Sequence, residues 1–311
     1  MYVPSQKPSS QVTSILVPKG LSSENNLNNI FQKINPSNII NQESLDELVI
    51  TNENVNPQLV TEYQNDIFEY LKKIESQFVP KFNYMKGYQT DINDKMRSIL
   101  IDWLVDVHLK FKLLPETLFL TVNLIDRYLE KNIIKRTKLQ LVGVTAMLIA
   151  CKYEEIYAPE VRDFVYITDQ AYNKEEILKL ENHMLSCLEF NITTPSSFRF
   201  LEHYANILKL DEISFMFCRY LLELLLVDSK TNRFSPAHQS AAAIYITLKI
   251  TKKIEHDLVA KISEFPEDKL RECAKDLCLI IDSEEKSTLK AVKKKFSQSK
   301  YLEVSKIKFF N

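Results

Sequence analysis

The stretch KLQLVGVTAMLIACKYEE, residues 138–155, decides the fold. Between Lys138 and Lys152 nearly every side chain is apolar or small, and a helix that is apolar all round belongs in the middle of a fold. The apolar run is about 13 residues long with Gln140 inside it, short of the roughly 20 that a membrane span needs. Gly143, Ala146 and Ala150 fall at i, i+3 and i+7, so one face carries almost no side chain. Glycine inside a helix costs about 1 kcal/mol against alanine, a cost that very close helix packing offsets. The stretch is therefore read as the hub of an all-helical domain.

The totals agree with that reading. A chain of 311 residues has room for about two domains. Only three glycines occur, Gly20, Gly87 and Gly143, which argues against Gly-rich phosphate loops and hairpin-rich β folds. The 40 basic and 41 acidic residues nearly cancel, so neither nucleic acid nor a membrane is expected as a partner. Cys151, Cys187, Cys218, Cys273 and Cys278 show no CxxC spacing and are read as reduced, buried thiols of an intracellular protein. The opening MYVPSQKPSS has no apolar core and is not read as a secretory signal.

Outward from the hub, helices are expected on both sides. Residues 1–55, rich in Asn, Ser and Gln and without sustained period, are expected to form a disordered tail. Asn56-Pro57 reads as a helix start, followed by the narrow stripe Val60, Tyr63, Ile67, Tyr70, Ile74 and Phe78 of a helix lying on the outside of a domain. The next helix, DINDKMRSILIDWLVDVHLKFK (91–112), has Ile92, Met96, Ile99, Leu100, Trp103, Leu104, Val107 and Phe111 on one arc, widened by Ile101 and Val105. Its apolar sector of about 240° exceeds the roughly 100° of an ordinary surface helix, so part is enclosed by a second layer or left open for a partner. Arg97 lies within that sector and needs a counter-charge. Pro115 starts a third helix carrying Asp126, and EVRDFVYIT (160–168) is a short one. Asn173 with Glu176 forms a capping box for a helix whose stripe of Ile177, Leu180, Met184, Leu185 and Leu188 includes Glu181.

After the polar connector NITTPSS (191–197) the pattern restarts, with helices over 197–210, 211–228, 235–251, 256–265 and 266–283. The one carrying Ala241, Ala242 and Ala243 is third in its group, as the hub is in the first, so a repeated helical plan is expected. A last basic helix is expected over 287–304, with the lysines at 293–295 on a solvated face. No P-loop, GxSxG, HExxH or CxxC pair occurs. His183 and Cys187 stand at i, i+4 without a second ligand pair and read as a half-buried histidine beside a core cysteine, not as a metal site. The carboxylates at 154–155 and 282–285 read as solvated helix ends. No enzyme activity, cofactor or metal is expected.

Four stretches, MRSILIDWLVDVHLKF (96–111), LIDRYLE (124–130), KLQLVGVTAMLIACKYEEIYAPEV (138–161) and ENHMLSCLEFNITTPS (181–196), resemble a cyclin of the A/B mitotic class. KKKFSQSKYLEVS resembles the B-type C-terminal end, and the resemblance covers about residues 57–305. It implies an all-α fold of two tandem five-helix cyclin boxes with flanking N- and C-terminal helices. The division would be a tail at 1–55, the N-terminal helix and first box at 56–193, and the second box and C-terminal helix at 194–311. The implied function is that of a regulatory subunit. It would bind and activate a cyclin-dependent protein kinase as a heterodimer, recruit RxL-type substrates or inhibitors, and serve G2/M progression.

The resemblance also assigns residues. Arg97 and Asp126 would form a structural ion pair. Lys152 and Glu181 would lie together and reach the kinase, joined by Tyr153, Leu185, Phe190 and Ile192, and by Tyr63, Ile67 and Tyr70 of the N-terminal helix. Without the resemblance, the two charge pairs read as structural ion pairs and each of the other residues reads as core. A hydrophobic docking patch would comprise Met96, Ile99, Leu100, Trp103, Leu139 and Gln140, with Asp106 facing the Arg of an RxL ligand and Arg136 nearby. A core reading suits Ile99 and fits Trp103 poorly. The implied mechanism is a population shift, the kinase's active arrangement being the one bound better. Residues 1–55 contain neither Arg nor a KEN triplet, so the destruction signal usual in this class is not found there. No basic import signal stands out, and nucleus, cytoplasm or both are expected. The competing reading is a cyclin-box adaptor of the transcription machinery that activates no kinase. The Lys152/Glu181 pair and the A/B-like N-terminal helix argue against it.

Overall fold

The computed structural model describes residues 60–251 and 256–307; the expectations of a disordered tail and of a helix start at Asn56-Pro57 fall outside them. Among the described residues there are twelve α-helices and no strand. Helix α1 is Gln64–Ile74. The first five-helix box consists of α2 Asp94–Phe111, α3 Pro115–Lys131, α4 Leu139–Glu154, α5 Val161–Ile167 and α6 Lys174–Cys187. The second consists of α7 Ser197–Ile207, α8 Glu212–Val227, α9 Pro236–Ile250, α10 His256–Ser263 and α11 Glu267–Lys286. Helix α12, Ala291–Phe296, and two 3-10 turns, Ser299–Tyr301 and Val304–Lys306, follow.

The hub is α4, buried without interruption from Leu141 to Cys151 and packed against α2, α3, α5 and α6. Its small-residue face brings α2 close. A Cβ at Gly143 would stand 2.7 Å from Leu100 Cδ1, so any larger residue here would displace the Leu100 side chain. Helix α9 repeats this role in the second box. Ala237, Ala241, Ala242 and Ala243 are fully buried, and α7, α8, α10 and α11 pack around them.

Local sequence sets the helix starts. Asn93 accepts the Met96 N–H at the head of α2, and Asn173 and Glu176 cap α6 reciprocally. Ser196, Asp211 and Ser235 accept backbone N–H groups at the heads of α7, α8 and α9. Each such cap is worth about 1 kcal/mol. Helix α5 carries a capping box of its own, Glu160 with Asp163.

Arg97 is 1% exposed. Its Nε donates to Asp126 Oδ1 at 2.6 Å and its NH2 to Asp126 Oδ2 at 2.7 Å. Burial alone would lower the guanidinium pKa; the Asp126 carboxylate reverses this and holds it above its ordinary value. The same guanidinium reaches the second box, donating from NH1 to the Leu226 carbonyl at 3.0 Å. Ser98 Oγ donates to Val227 O, Ser229 Oγ to Asp94, and Asn232 Nδ2 to Asp126. The pair is therefore also a joint between the boxes.

Several expectations need correction. The stripe of α1 is only partly turned to the protein: Ile67, Ile74 and Phe78 are half-buried, but Tyr63 is 52% and Tyr70 60% exposed. The buried residues are Phe68, and Glu75 just past the helix. The docking face is chosen by α7, where Phe68 stacks on His203 with centroids 4.1 Å apart and meets Phe200 and Tyr204 edge-on. The wide apolar sector of α2 meets both fates expected of it: α4, α8 and α12 pack on it, with Ile101 and Val105 fully buried, while Ile99 is left 50% exposed. The basic helix expected over 287–304 is six residues of helix and two 3-10 turns, broken by Leu302 and Glu303 at φ 54° and 53°. Lys295 is not on a solvated face. It is fully buried, with Nζ 2.6 Å from Glu223 Oε2. Nor is Glu284 a solvated helix end, being 6% exposed and paired with Lys293 at 2.8 Å. All five cysteines are free thiols, and Cys187 is half-buried rather than buried.

Candidate functional site

Two surfaces of the first box, one at each end of α4, hold the residues singled out above other than Tyr63, Ile67 and Tyr70. At the C-terminal end, the last helical turn presents Lys152 and Tyr153. Lys152 Nζ donates to both oxygens of Glu181, at 2.6 and 2.9 Å. The lysine side chain is 48% exposed and the carboxylate 13%, so α6 supplies a sheltered anion that fixes an accessible cation. A pair this exposed adds at most about 1 kcal/mol to stability, and its geometry matters more for presentation than for folding.

Tyr153, 44% exposed, shares a hydrogen bond with the Thr193 hydroxyl, which ties the α4 terminus to the inter-box connector. Leu185 and Ile192 are half-buried at the rim of the first-box core. Phe190 is 66% exposed. It follows Glu189, and both sit in the left-handed region, at φ 56° and 55°, which costs of order 1 kcal/mol or more for each residue with a Cβ. The neighbouring carboxylates divide the work. Glu155 accepts the Leu114 N–H and the Thr117 hydroxyl at the head of α3. The Glu154 pKa is pushed up by burial and by Glu116 and Glu155.

Thus Lys152 meets Glu181 directly, and Tyr153 meets the connector that carries Ile192. The remaining three expected residues stand apart, Tyr63 in the 3-10 turn Thr61–Tyr63 that leads into α1 and Ile67 and Tyr70 on α1 itself. Tyr63 and Tyr70 are open to solvent, and Ile67 lines a cavity of about 340 Å³ between α1 and the second box, with Phe200, His203 and Phe215. Ile156 and Tyr157, 89% and 94% exposed, were missed. They follow α4 in a non-helical segment where no periodicity would bury them, and that was the available signal.

The second surface runs along α2 and the head of α4. Ile99 is its most open apolar member, 50% exposed. Met96 and Trp103 are half-buried against the core, Gln140 is half-buried, and Asp106 and Arg136 are exposed. Leu100 and Leu139 are buried, 6% and 5% exposed; they are floor, and Leu100 is committed to Gly143. The core reading suggested for Ile99 is corrected by its exposure. The Arg136 backbone N–H donates to Asp91 at 2.8 Å, which orders the approach to α4. Among the described residues no group of three or more His, Cys, Asp or Glu side chains could hold a metal ion. His183 Nδ1 lies 2.9 Å from the Tyr128 hydroxyl.

The model of the cyclin N-terminal domain matches residues 66–193 and that of the cyclin C-terminal domain matches residues 193–309. Among curated proteins, the G2/mitotic-specific cyclin-B of Spisula solidissima is 39% identical over 292 residues, covering 94% of this chain and 66% of the relative. That of Hydra vulgaris is 44% identical over 253 residues, covering 81% and 70%. The G2/mitotic-specific cyclin-B2 of Oryzias latipes is 40% identical, covering 82% and 66%. The chain thus spans about two thirds of the length of the curated relatives it matches. Among solved structures, the fold is similar to a viral cyclin from herpesvirus saimiri, with TM-score 0.61 and 21% identity over 69% of this chain and 97% of that one. It is also similar to a chain of the CAK complex from Chaetomium thermophilum, with TM-score 0.51 and 14% identity over 82% and 85%.

Proposed function

This chain belongs to the cyclin family, and from that membership we propose that it is a mitotic cyclin, a regulatory subunit that binds and activates a cyclin-dependent protein kinase at G2/M. The observation that carries the proposal is the resemblance to cyclin-B along four-fifths or more of the chain, 81% to 94% in the relatives above. The adaptor reading, without kinase activation, draws no comparable support.

The kinase-facing surface is proposed at the C-terminal end of α4. What supports it is an accessible lysine held by a sheltered carboxylate, next to aromatic and aliphatic side chains left in water. Tyr153, Ile156, Tyr157 and Phe190 are all exposed, and Phe190 and Glu189 before it both have positive φ. Strain of this kind persists where surrounding structure imposes it and often accompanies recognition. Leu185 and Ile192 form the rim of the same surface, and Tyr63, Ile67 and Tyr70 extend it onto α1. Binding there would act by population shift. The kinase arrangement in which its αC glutamate pairs with the β3 lysine is the one bound better. ATP and the phosphoryl-transfer chemistry stay on the kinase.

The strip along α2 is proposed to recruit RxL-type substrates or inhibitors. What supports it is a half-open apolar lane of Met96, Ile99 and Trp103 with Gln140 beside it and the exposed Asp106 carboxylate along the same helix, suited to a ligand arginine. Affinity capture from native extract, followed by a protein-kinase assay, tests the function. Co-purification of a protein kinase with a gain in its activity is expected. Capture of a kinase with no gain would refute the activator reading and favour the adaptor.

A further inference from the structure

The C-terminal segment forms a junction that the proposed surfaces do not use. Lys295 Nζ donates to Glu223 of α8 at 2.8 and 2.6 Å, and all of these atoms are out of water. Arg219 Nε donates to the same carboxylate at 3.1 Å, and its guanidinium lies over the rings of Phe198, Phe296 and Tyr301. At the other end of α12 the Ala291 N–H donates to Asp102 of α2 at 2.9 Å. Lys290 Nζ reaches the last carbonyls of α11, and Lys293 pairs with Glu284. Residues 290–306 therefore touch α2 of the first box and α8 and α11 of the second.

The arrangement of α1 makes this junction consequential. Helix α1 precedes the first box in the chain but docks on the second, through Phe68 on His203, Lys72 on Glu264 and the Glu75 carboxylate on the Ala237 N–H at the head of α9. The exposed tyrosines of α1 thus travel with the second box, whereas Lys152, Tyr153 and Glu181 belong to the first. Any rotation of one box against the other shifts these two groups relative to each other.

We propose that residues 290–306 are a staple across the two boxes and that the Glu223–Lys295 pair is its positioning element, holding the α1 tyrosines in register with the Lys152–Glu181 platform. The kinase part of this statement rests on the function proposed above. Buried ion pairs contribute little net stability compared with apolar substitutes of equal volume, but they can specify one arrangement among several.

The test uses Glu223→Gln/Lys295→Met, which removes both charges at nearly constant volume and leaves no unpaired buried carboxylate. Spin labels at Asn65→Cys on α1 and Lys174→Cys on α6, both exposed positions, in a Cys187→Ser background, report the register without any kinase. A narrow distance distribution that broadens in the double variant is expected; an unchanged distribution overturns the staple. Affinity for the co-purifying kinase is measured in parallel. The double variant is expected to bind about tenfold more weakly. In a Tyr63→Ala/Tyr70→Ala background the same change is expected to cost less than about twofold. Equal losses in both backgrounds overturn the link to α1. Absence of kinase binding by the unaltered chain would refute the function proposed above, and the label distances would still decide the staple.

Discussion

Acidification to pH 5 should weaken this protein through its buried histidines, and the share of one of them, His108, can be isolated. His108 lies on the inner side of α2, 1% exposed. Its Nε2 is 2.9 Å from the Leu114 carbonyl, so that nitrogen carries the proton. Its Nδ1 is buried with no hydrogen-bond partner among the described residues. Burial, reinforced by the Lys295 ammonium and only partly opposed by Glu223, lowers the pKa from 6.5 to about 3. A histidine lowered on folding takes up its proton first in the unfolded chain. Its stabilising contribution is therefore complete above the unfolded value and is lost as pH falls through 6.5 toward 3. Between pH 7 and pH 5 the two values correspond to about 2 kcal/mol. With a urea slope of about 2–3 kcal/mol/M, that moves the unfolding midpoint by roughly 0.7–1 M. His108→Gln keeps an N–H for the Leu114 carbonyl and does not titrate. Urea titrations of both proteins at pH 7 and pH 5 should show the parent losing about 2 kcal/mol more than the variant, while the shared response of the carboxylates and of His203 cancels. Parallel losses would mean that His108 is not buried neutral, and the reasoning would fail.

Arg97→Met leaves Asp126 buried with Tyr84 and Asn232 alone and should cost about 3–5 kcal/mol in chemical denaturation; Arg97→Met/Asp126→Asn should recover much of that loss. Gly143→Ala should destabilise by about 1–3 kcal/mol, because the added Cβ meets a Leu100 side chain that is itself packed, and Gly143→Ala/Leu100→Val should recover part of it. Trp103→Ala should impair phosphorylation of RxL-bearing protein substrates while sparing a short peptide, and equal loss on both would show Trp103 to be core. Lys152→Ala should weaken kinase association in a direct binding titration with little change in thermal midpoint; unchanged affinity would refute its assigned role.

What could be read from the sequence depended on how far apart the interacting residues lie. Capping is local, and Asn173 with Glu176 was recognisable from spacing alone. The hub was recognisable because a run with no polar face has nowhere to go but inside. Arg97 announced a counter-charge, since it stood in an apolar sector. Lys295 gave no such sign. It sits within three consecutive lysines, and its carboxylate is Glu223, 72 residues earlier, so a run of like charge concealed one buried member. Helix α1 failed for the same reason. The stripe of period 3.6 was real, but the face that docks was selected by His203 and Tyr204, more than a hundred positions away. The apolar width of α2 exceeds what a surface helix needs and is legible from periodicity; that the C-terminal segment packs on part of it is not visible in any local pattern.

The Asp102–Ala291 hydrogen bond joins residues 189 positions apart. During synthesis at roughly 5–20 residues per second, Asp102 would wait about 10–40 s, and the completed first box about 5–20 s, before the segment that packs on α2 has been made. For that interval Asp102 and the side of α2 on which α12 packs are uncovered on a nascent chain whose first five helices are otherwise complete. Completion of the packing around α2 is therefore among the last events of biogenesis, and premature termination before residue 290 would release a first box with one side of α2 uncovered, a substrate for chaperones and proteases rather than a half-working protein.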